Sequence, residues 1–246
     1  MKSVYLEGKS IYTIVKKVEK CFLQEKLKDN NTLIINIEES QNNDLPIKDD
    51  FLYKKYFIDL DKRWSKDNND WCFSYYRRLI ENRAGISQLE QAIEAMSSDP
   101  STRRCVLCAN DPLDNGQYRP SLVAVTFVIR ENKLDMIVHW RSQEIFYALP
   151  INIITMYSFA RVFFERIKGF NESIEFGEYI QYVDSVVIHE NINKNMTQIQ
   201  SLWQNISPSL EKELCFMWSV LKKNQEEFYD ENYQKKRGMV LPLMRV

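Results

Sequence analysis

No apolar run in this sequence approaches the roughly 20 residues that cross a bilayer. The longest, "AVTFVI" and "INIITMYSFARVFF", are short or interrupted, so no transmembrane helix is expected. An excess of charge of either sign is also missing: Lys+Arg 33 stand against Asp+Glu 34, for a net charge of −1. No global field therefore draws the chain to nucleic acid or an anionic membrane, and an anionic ligand has to be held by local basic residues. The opening "MKSVYLEGKSIY" lacks the apolar core and small-residue cleavage site of a signal peptide, which makes the cytoplasm the expected compartment. Histidine is scarce, with only His139 and His189 in the chain, so no metal site is expected. The five cysteines, Cys21, Cys72, Cys105, Cys108 and Cys215, are odd in number and scattered, as reduced thiols are in a chain too large to need staples. Cys105 and Cys108 share a C-x-x-C spacing, but in an extended segment positions i and i+3 face opposite ways. Two packed thiols are expected there rather than a redox or metal pair.

What is present is enough for a sizeable core: 246 residues of which 44% are hydrophobic, expected to form one domain over 1–246. Ile11, Ile14, Val15, Val18 and Phe22 recur at helical spacing and predict a helix over 10–28. A short strand, "TLIINI" at 32–37, follows it. The polar stretches at 38–50 and 65–70 read as loops. Ser87 with Glu90 forms a capping-box pattern ahead of a stripe made by Leu89, Ile93 and Met96, and "SDP" at 98–100 ends that helix. Three strands are then expected, "RRCVLCA", "SLVAVTFVI" and "KLDMIVHW", the last two joined by a turn within "RENK". A helix over roughly 151–168, a strand in "IQYVDSVVIHE" and a C-terminal helix over 208–229 complete the pattern. Mixed strands and helices with a hairpin point to the α+β class rather than a doubly wound parallel sheet.

Two places carry the donors for an anion: Arg103 and Arg104 at the opening of one strand, and Arg141 with Ser142 at the close of another. Guanidinium forks beside a hydroxyl suit a phosphate monoester, and surface ion pairs are the alternative use. Glu144 and Asn152 follow at a strand end and a helix start. An amide donates and accepts at once, so Asn152 can match the adjacent carbonyl and N–H of a uracil-like ring. Capping the helix is the other role open to it.

Four blocks, "DPSTRRCVLCANDP", "RPSLVAVTF", "WRSQEIFYALPIN" and "GEYIQYVDSVVIHEN", preceded by "FSYYRRL", resemble in order and spacing the signature blocks of thymidylate synthases and the related nucleotide hydroxymethylases. The resemblance covers roughly residues 70–195. It implies a large mixed or antiparallel twisted sheet flanked by helices, and a homodimer in which Arg103 and Arg104 reach the nucleotide phosphate of the other subunit. Arg141 and Ser142 then match the phosphate ligands within the subunit, Glu144 the acidic residue near the base, and Asn152 the amide that reads a uracil-type pyrimidine. His189 stands at a sugar-contacting position, and the tail "VLPLMRV" resembles the segment that closes over bound ligands, with Val246 at its end. The implied partners are a pyrimidine nucleotide and 5,10-methylenetetrahydrofolate, and the implied reaction is methylation or hydroxymethylation at C5.

That chemistry starts with a thiolate adding at C6, which makes the ring an enolate able to attack the one-carbon unit through C5. Here the position after Pro120, where the family carries its cysteine, is Ser121. The family's His-x-Tyr is Val187-Ile188-His189, and a glycine of the family pattern is Ala148. No confident counterpart exists for the glutamate of an early helix, although Asp50 and Asp59 lie in the right region. These departures leave open a diverged enzyme without a cysteine adduct, or a non-catalytic nucleotide-binding protein.

Overall fold

The computed structural model describes residues 2–38, 75–80, 86–111, 119–145 and 148–188. Its elements are β1 (Ser3–Gly8), α1 (Ile11–Leu23), β2 (Thr32–Ile37), α2 (Tyr75–Leu79), α3 (Gln88–Ser98) and β3 (Val106–Cys108). They continue with β4 (Leu122–Arg130), β5 (Lys133–Trp140), β6 (Gln143–Glu144), α4 (Ala148–Lys168), β7 (Glu175–Val183) and β8 (Val186–Val187). Six strands form one sheet in the order β1-β2-β7-β5-β4-β3, and β6 pairs separately with β8. Two of the sheet's pairings are parallel, β1 with β2 and β5 with β7, and the other three are antiparallel. The mixed α+β sheet is thus as expected. The loops at 39–50 and 65–70, Asp50, Asp59 and the helix at 208–229 lie outside the described residues. Among the described residues no helix is long and apolar enough to cross a membrane.

Side chains alternate between the two faces of a strand, and the register sorts them into rows across the sheet. One row, Leu6, Ile35, Gln181, Val138, Val125 and Leu107, is buried throughout. On this side α4 supplies Phe163, stacked on Phe127 of β4 with ring centroids 3.8 Å apart. The next row, on the other face, is Tyr5, Ile34, Tyr182, His139, Ala124 and Cys108, all exposed or half-buried. Among the described residues the helices therefore bury one face of the sheet and leave the other open.

Local chemistry explains most element boundaries. Ser10 accepts the Thr13 N–H at 3.2 Å and starts α1. The helix stops at Leu23, five residues short of expectation, because Glu25 adopts φ 54° and a Schellman-type ending forms. There Glu25 N–H donates to Phe22 O and Lys26 N–H to Cys21 O, satisfying carbonyls that the helix can no longer serve. Buried Leu27 anchors the chain just beyond. Ser87 caps α3 as expected, accepting the Glu90 N–H at 3.1 Å, while the Glu90 carboxylate takes a two-pronged bond from Arg166 of α4 at 2.9 and 3.1 Å. The β4–β5 hairpin turns at Glu131 and Asn132, φ 50° and 61°, the paired positive values of the tight turn that suits strand twist. Gly177 is required in β7, since a Cβ there would lie 2.1 Å from Asp135 Oδ1. That same oxygen accepts the Glu178 N–H at 2.8 Å.

Several expectations need correction. The sequence pattern passed over β1, a parallel edge strand whose outward positions are exposed. The strand expected over 103–109 shrinks to Val106–Cys108, so Arg103 and Arg104 precede it. The long helix starts at Ala148 rather than 151, with Pro150 in the first turn, where a missing N–H costs no helical bond. The strand expected over 180–190 begins earlier, at Glu175, and breaks at Asp184 and Ser185 before the short β8.

The C-x-x-C pair separates as the alternation demands. Only one of the two packs as expected: Cys105 is fully buried with its Sγ donating to Ala92 O at 3.2 Å, whereas Cys108, on the opposite face, is exposed. Burial, with the Asp99 carboxylate adding to it, pushes the Cys105 thiol up from 9.0 to about 11. Since the thiolate is the reactive form, this two-unit rise makes Cys105 in the folded protein at least about 100-fold slower to alkylate at pH 8 than in denaturant. Iodoacetamide labelling followed by peptide mass spectrometry measures the ratio; equal rates would contradict the burial described.

Candidate functional site

The site builds outward from the open end of the β4–β5 hairpin. Ser121 lies just before β4, half-buried, and its carbonyl accepts the Arg141 N–H at 2.9 Å. The Arg141 side chain turns back over the same segment. Its Nε donates to Pro120 O at 3.0 Å, Nη2 to Arg119 O at 2.8 Å and Nη1 to Ser142 Oγ at 3.4 Å. A guanidinium carries five N–H donors, so one on each terminal nitrogen remains for an anion, the arrangement that grips a phosphate two-pronged. The three protein bonds hold this exposed cation beside residue 121 instead of leaving it to move through solvent.

Ser142 leads into β6, which runs parallel to β8 with Gln143 opposite Val186 and Glu144 opposite Val187. Glu144 Oε2 accepts the Ala148 N–H at 3.0 Å. A carboxylate thus sits at the positive end of α4, where an anion is favoured, and fixes the angle between β6 and the helix. Asn152 is not that cap: it lies one turn inside α4, 6% exposed.

The structure thus holds Arg141 and Ser142 against the Ser121 segment and ties Glu144 to the start of α4, with Asn152 one turn further along that helix. Arg103 and Arg104 are not part of this arrangement. Both are exposed in the bend between α3 and β3, and the Phe127 N–H donates to the neighbouring Cys105 O at 2.9 Å. Phe127 is six residues beyond Ser121 on an extended strand, about 20 Å at the usual rise. Within one chain that is beyond an arginine's reach. His189 and Val246 lie outside the described residues, and Val187, at the family's histidine position, lies in β8 beside Glu144.

The thymidylate synthase family model matches residues 24–243. The chain belongs to the thymidylate synthase family. Among its relatives, thymidylate synthase of Phytoplasma mali (strain AT) is 26% identical over 218 residues, 81% of this chain and 72% of that protein. Thymidylate synthase 1/2 of Encephalitozoon cuniculi (strain GB-M1) is 28% identical over 119 residues, of which this chain spans only 39% of the relative's length. In fold, the chain is similar to thermostable thymidylate synthase A from Bacillus subtilis, with a TM-score of 0.54 at 13% identity, covering 78% of this chain and 84% of that one.

Reading the sequence for site residues missed three buried polar groups in this family member, Tyr179, Gln143 and Gln181. The one available signal was a glutamine at 181 in a segment whose alternate positions are apolar.

Proposed function

We propose that this protein binds a pyrimidine nucleoside monophosphate and transfers a one-carbon unit from 5,10-methylenetetrahydrofolate to C5 of the base. The observation that supports the proposal is the Arg141 guanidinium held against the Ser121 segment and beside Ser142, in a chain of this family. In this reading the two open N–H groups of Arg141 and the Ser142 hydroxyl take the phosphate. The Asn152 amide takes the O4 and N3 edge of a uracil, and Glu144 lines the base. His189 contacts the sugar and Val246 helps to close the site. A nucleophile at position 121 adds to C6, the displaced electron pair moves to the C4 carbonyl oxygen as an enolate, and C5 becomes the attacking carbon. When bound, the folate would supply the electrophilic carbon and, for a methyl product, also the hydride that reduces it, leaving as dihydrofolate; for a hydroxymethyl product water would add to that carbon and tetrahydrofolate would leave. Loss of the C5 proton and expulsion of the nucleophile restore the ring.

At Ser121 this scheme meets its chief demand. A serine hydroxyl is a far weaker nucleophile than a thiolate unless a base takes its proton. Release of tritium from 5-tritiated deoxyuridine monophosphate in the presence of methylenetetrahydrofolate tests the proposal. Tight nucleotide binding without release supports instead a second reading, favoured by Ser121 itself, in which the chain holds a nucleotide without forming an adduct.

Base choice is open to a separate measurement. Asn152→Asp exchanges a donor-acceptor pair for a carboxyl group, which suits the amino group and N3 of cytosine. The ratio of deoxyuridylate to deoxycytidylate affinity is expected to fall by about 10-fold or more. Calorimetric titration with both nucleotides measures it, and an unchanged ratio removes Asn152 from the base.

The reading also includes a homodimer formed through the open sheet face. Tyr5, Tyr182 and Val106 on that face are 57%, 41% and 42% exposed, and Ile34, Ile137 and Ile180 stand among them half-buried. A patch of this kind marks an association surface.

A further inference from the structure

Gln181 stands at the middle of the buried row that otherwise contains Leu6, Ile35, Val138, Val125 and Leu107. It is 0% exposed, as is Tyr179, and Gln143 is 3% exposed. The three form a chain of hydrogen bonds: Tyr179 Oη donates to Gln181 Oε1 at 2.5 Å, and Gln181 Nε2 donates to Gln143 Oε1 at 2.8 Å. The direction is set at the tyrosine. Burial raises its hydroxyl well above the ordinary value of 10.0, so it stays protonated and needs an acceptor. Each amide is thereby oriented in turn, and the chain ends on Gln143 Nε2, a buried donor with no partner among the described residues.

An apolar side chain at 181 would complete the row without desolvating an amide, so packing alone does not call for glutamine. What the chain accomplishes is a tie between two parts of the fold. It fastens β6, one strand of a two-stranded ribbon, to the interior of the six-stranded sheet, and it does so at the residue between Ser142 and Glu144. We propose that Gln181, acting with Tyr179 through Gln143, is a positioning residue that fixes β6 and so holds Ser142 and Glu144 in register for the nucleotide. This inference rests on the nucleotide reading above.

The test uses Gln181→Leu and, as a gentler cut, Tyr179→Phe, which removes one hydroxyl and keeps the ring against Tyr157. In both variants, amide hydrogen exchange at Gln143 and Ile145, whose N–H groups donate to Ser185 O and Val187 O, is expected to quicken about 10-fold relative to the β4–β5 ladder. The dissociation constant for deoxyuridine monophosphate is expected to rise about 10-fold at the same time. Unchanged exchange at these two amides overturns the proposal, as does faster exchange with unaltered affinity, which would make the chain a matter of stability alone. If Gln181→Leu fails to fold, Tyr179→Phe carries both readouts. A wild-type protein that does not bind the nucleotide overturns the functional reading together with this one, whereas binding that is equal in wild type and variants overturns this one alone.

Discussion

Ser121→Cys is expected to raise tritium release from C5 of deoxyuridine monophosphate by on the order of 10³-fold or more, the scale on which enzymes lose rate when a covalent nucleophile is removed. The reason is ionisation. With an ordinary pKa near 8.5, about a quarter of a thiol is already thiolate at pH 8, whereas a serine hydroxyl is almost wholly protonated unless a base takes its proton. The surroundings of residue 121 favour an anion: Arg141 donates to the carbonyls of Arg119 and Pro120, the two residues just before it. A cation held so close lowers the pKa of a cysteine there and enlarges the thiolate fraction further. The substitution adds little bulk at a half-buried position, so nucleotide affinity should change little. If the cysteine variant binds the nucleotide as tightly as the serine protein yet releases no tritium, C6 addition is not the chemistry of this site. If the serine protein already turns over as fast as the variant, a base takes the hydroxyl's proton.

How far the sequence could be read follows from how local each signal is. The Ser87 cap and the hairpin around Glu131 and Asn132 depend on a few adjacent residues, and both form as expected. Of the four blocks that resemble the family, the one with Arg141, Ser142, Glu144 and Asn152 is contiguous in sequence, whereas the one with Arg103 and Arg104 stands at the far end of β4. Most of the missed features depend on partners distant in sequence. Strand β1 is held by β2 beside it, with Tyr5 opposite Ile34, and its alternation rests on only two apolar inward side chains, Val4 and Leu6. The break after Val183 answers to β5 and β6: Asp184 N–H donates to Trp140 O, its carboxylate lies 2.9 and 3.0 Å from His139 Nε2, and Ser185 O accepts the Gln143 N–H. A continuous run of strand-forming residues gives no sign of that switch. Helix α1 stops at Leu23 because Glu25 takes a positive φ and closes the end with its neighbour Lys26. The cap role went to Glu144 instead of Asn152 because the helix begins a turn earlier than its hydrophobic stripe.

Mixing two variants that each fail to bind nucleotide is expected to restore binding at about a quarter of the sites. The first variant is Arg141→Ala, and the second carries Arg103→Ala with Arg104→Ala. Within one chain the double arginine and Ser121 stand at opposite ends of β4, about 20 Å apart by strand rise, so a site that uses both must draw them from two chains. In the proposed homodimer, two copies joined through the open sheet face would supply such a pair, and a two-fold axis would make both sites equivalent. When the variants are unfolded together and refolded, half of the dimers are hybrids if association is random. In each hybrid one site lacks both sets of arginines, while the other has Arg141 from one chain and the double arginine from its neighbour. One intact site in half of the dimers is about a quarter of all sites. Equilibrium dialysis with labelled deoxyuridine monophosphate counts them, and native mass spectrometry confirms that hybrids formed. Hybrids that bind nothing would refute the shared site, and full binding by the double-arginine variant alone would show that Arg103 and Arg104 serve no phosphate. Adding Tyr182→Asp to both variants separates association from chemistry: a carboxylate on the open face should abolish the hybrids and the recovered quarter together, because a buried unpaired charge opposes the contact.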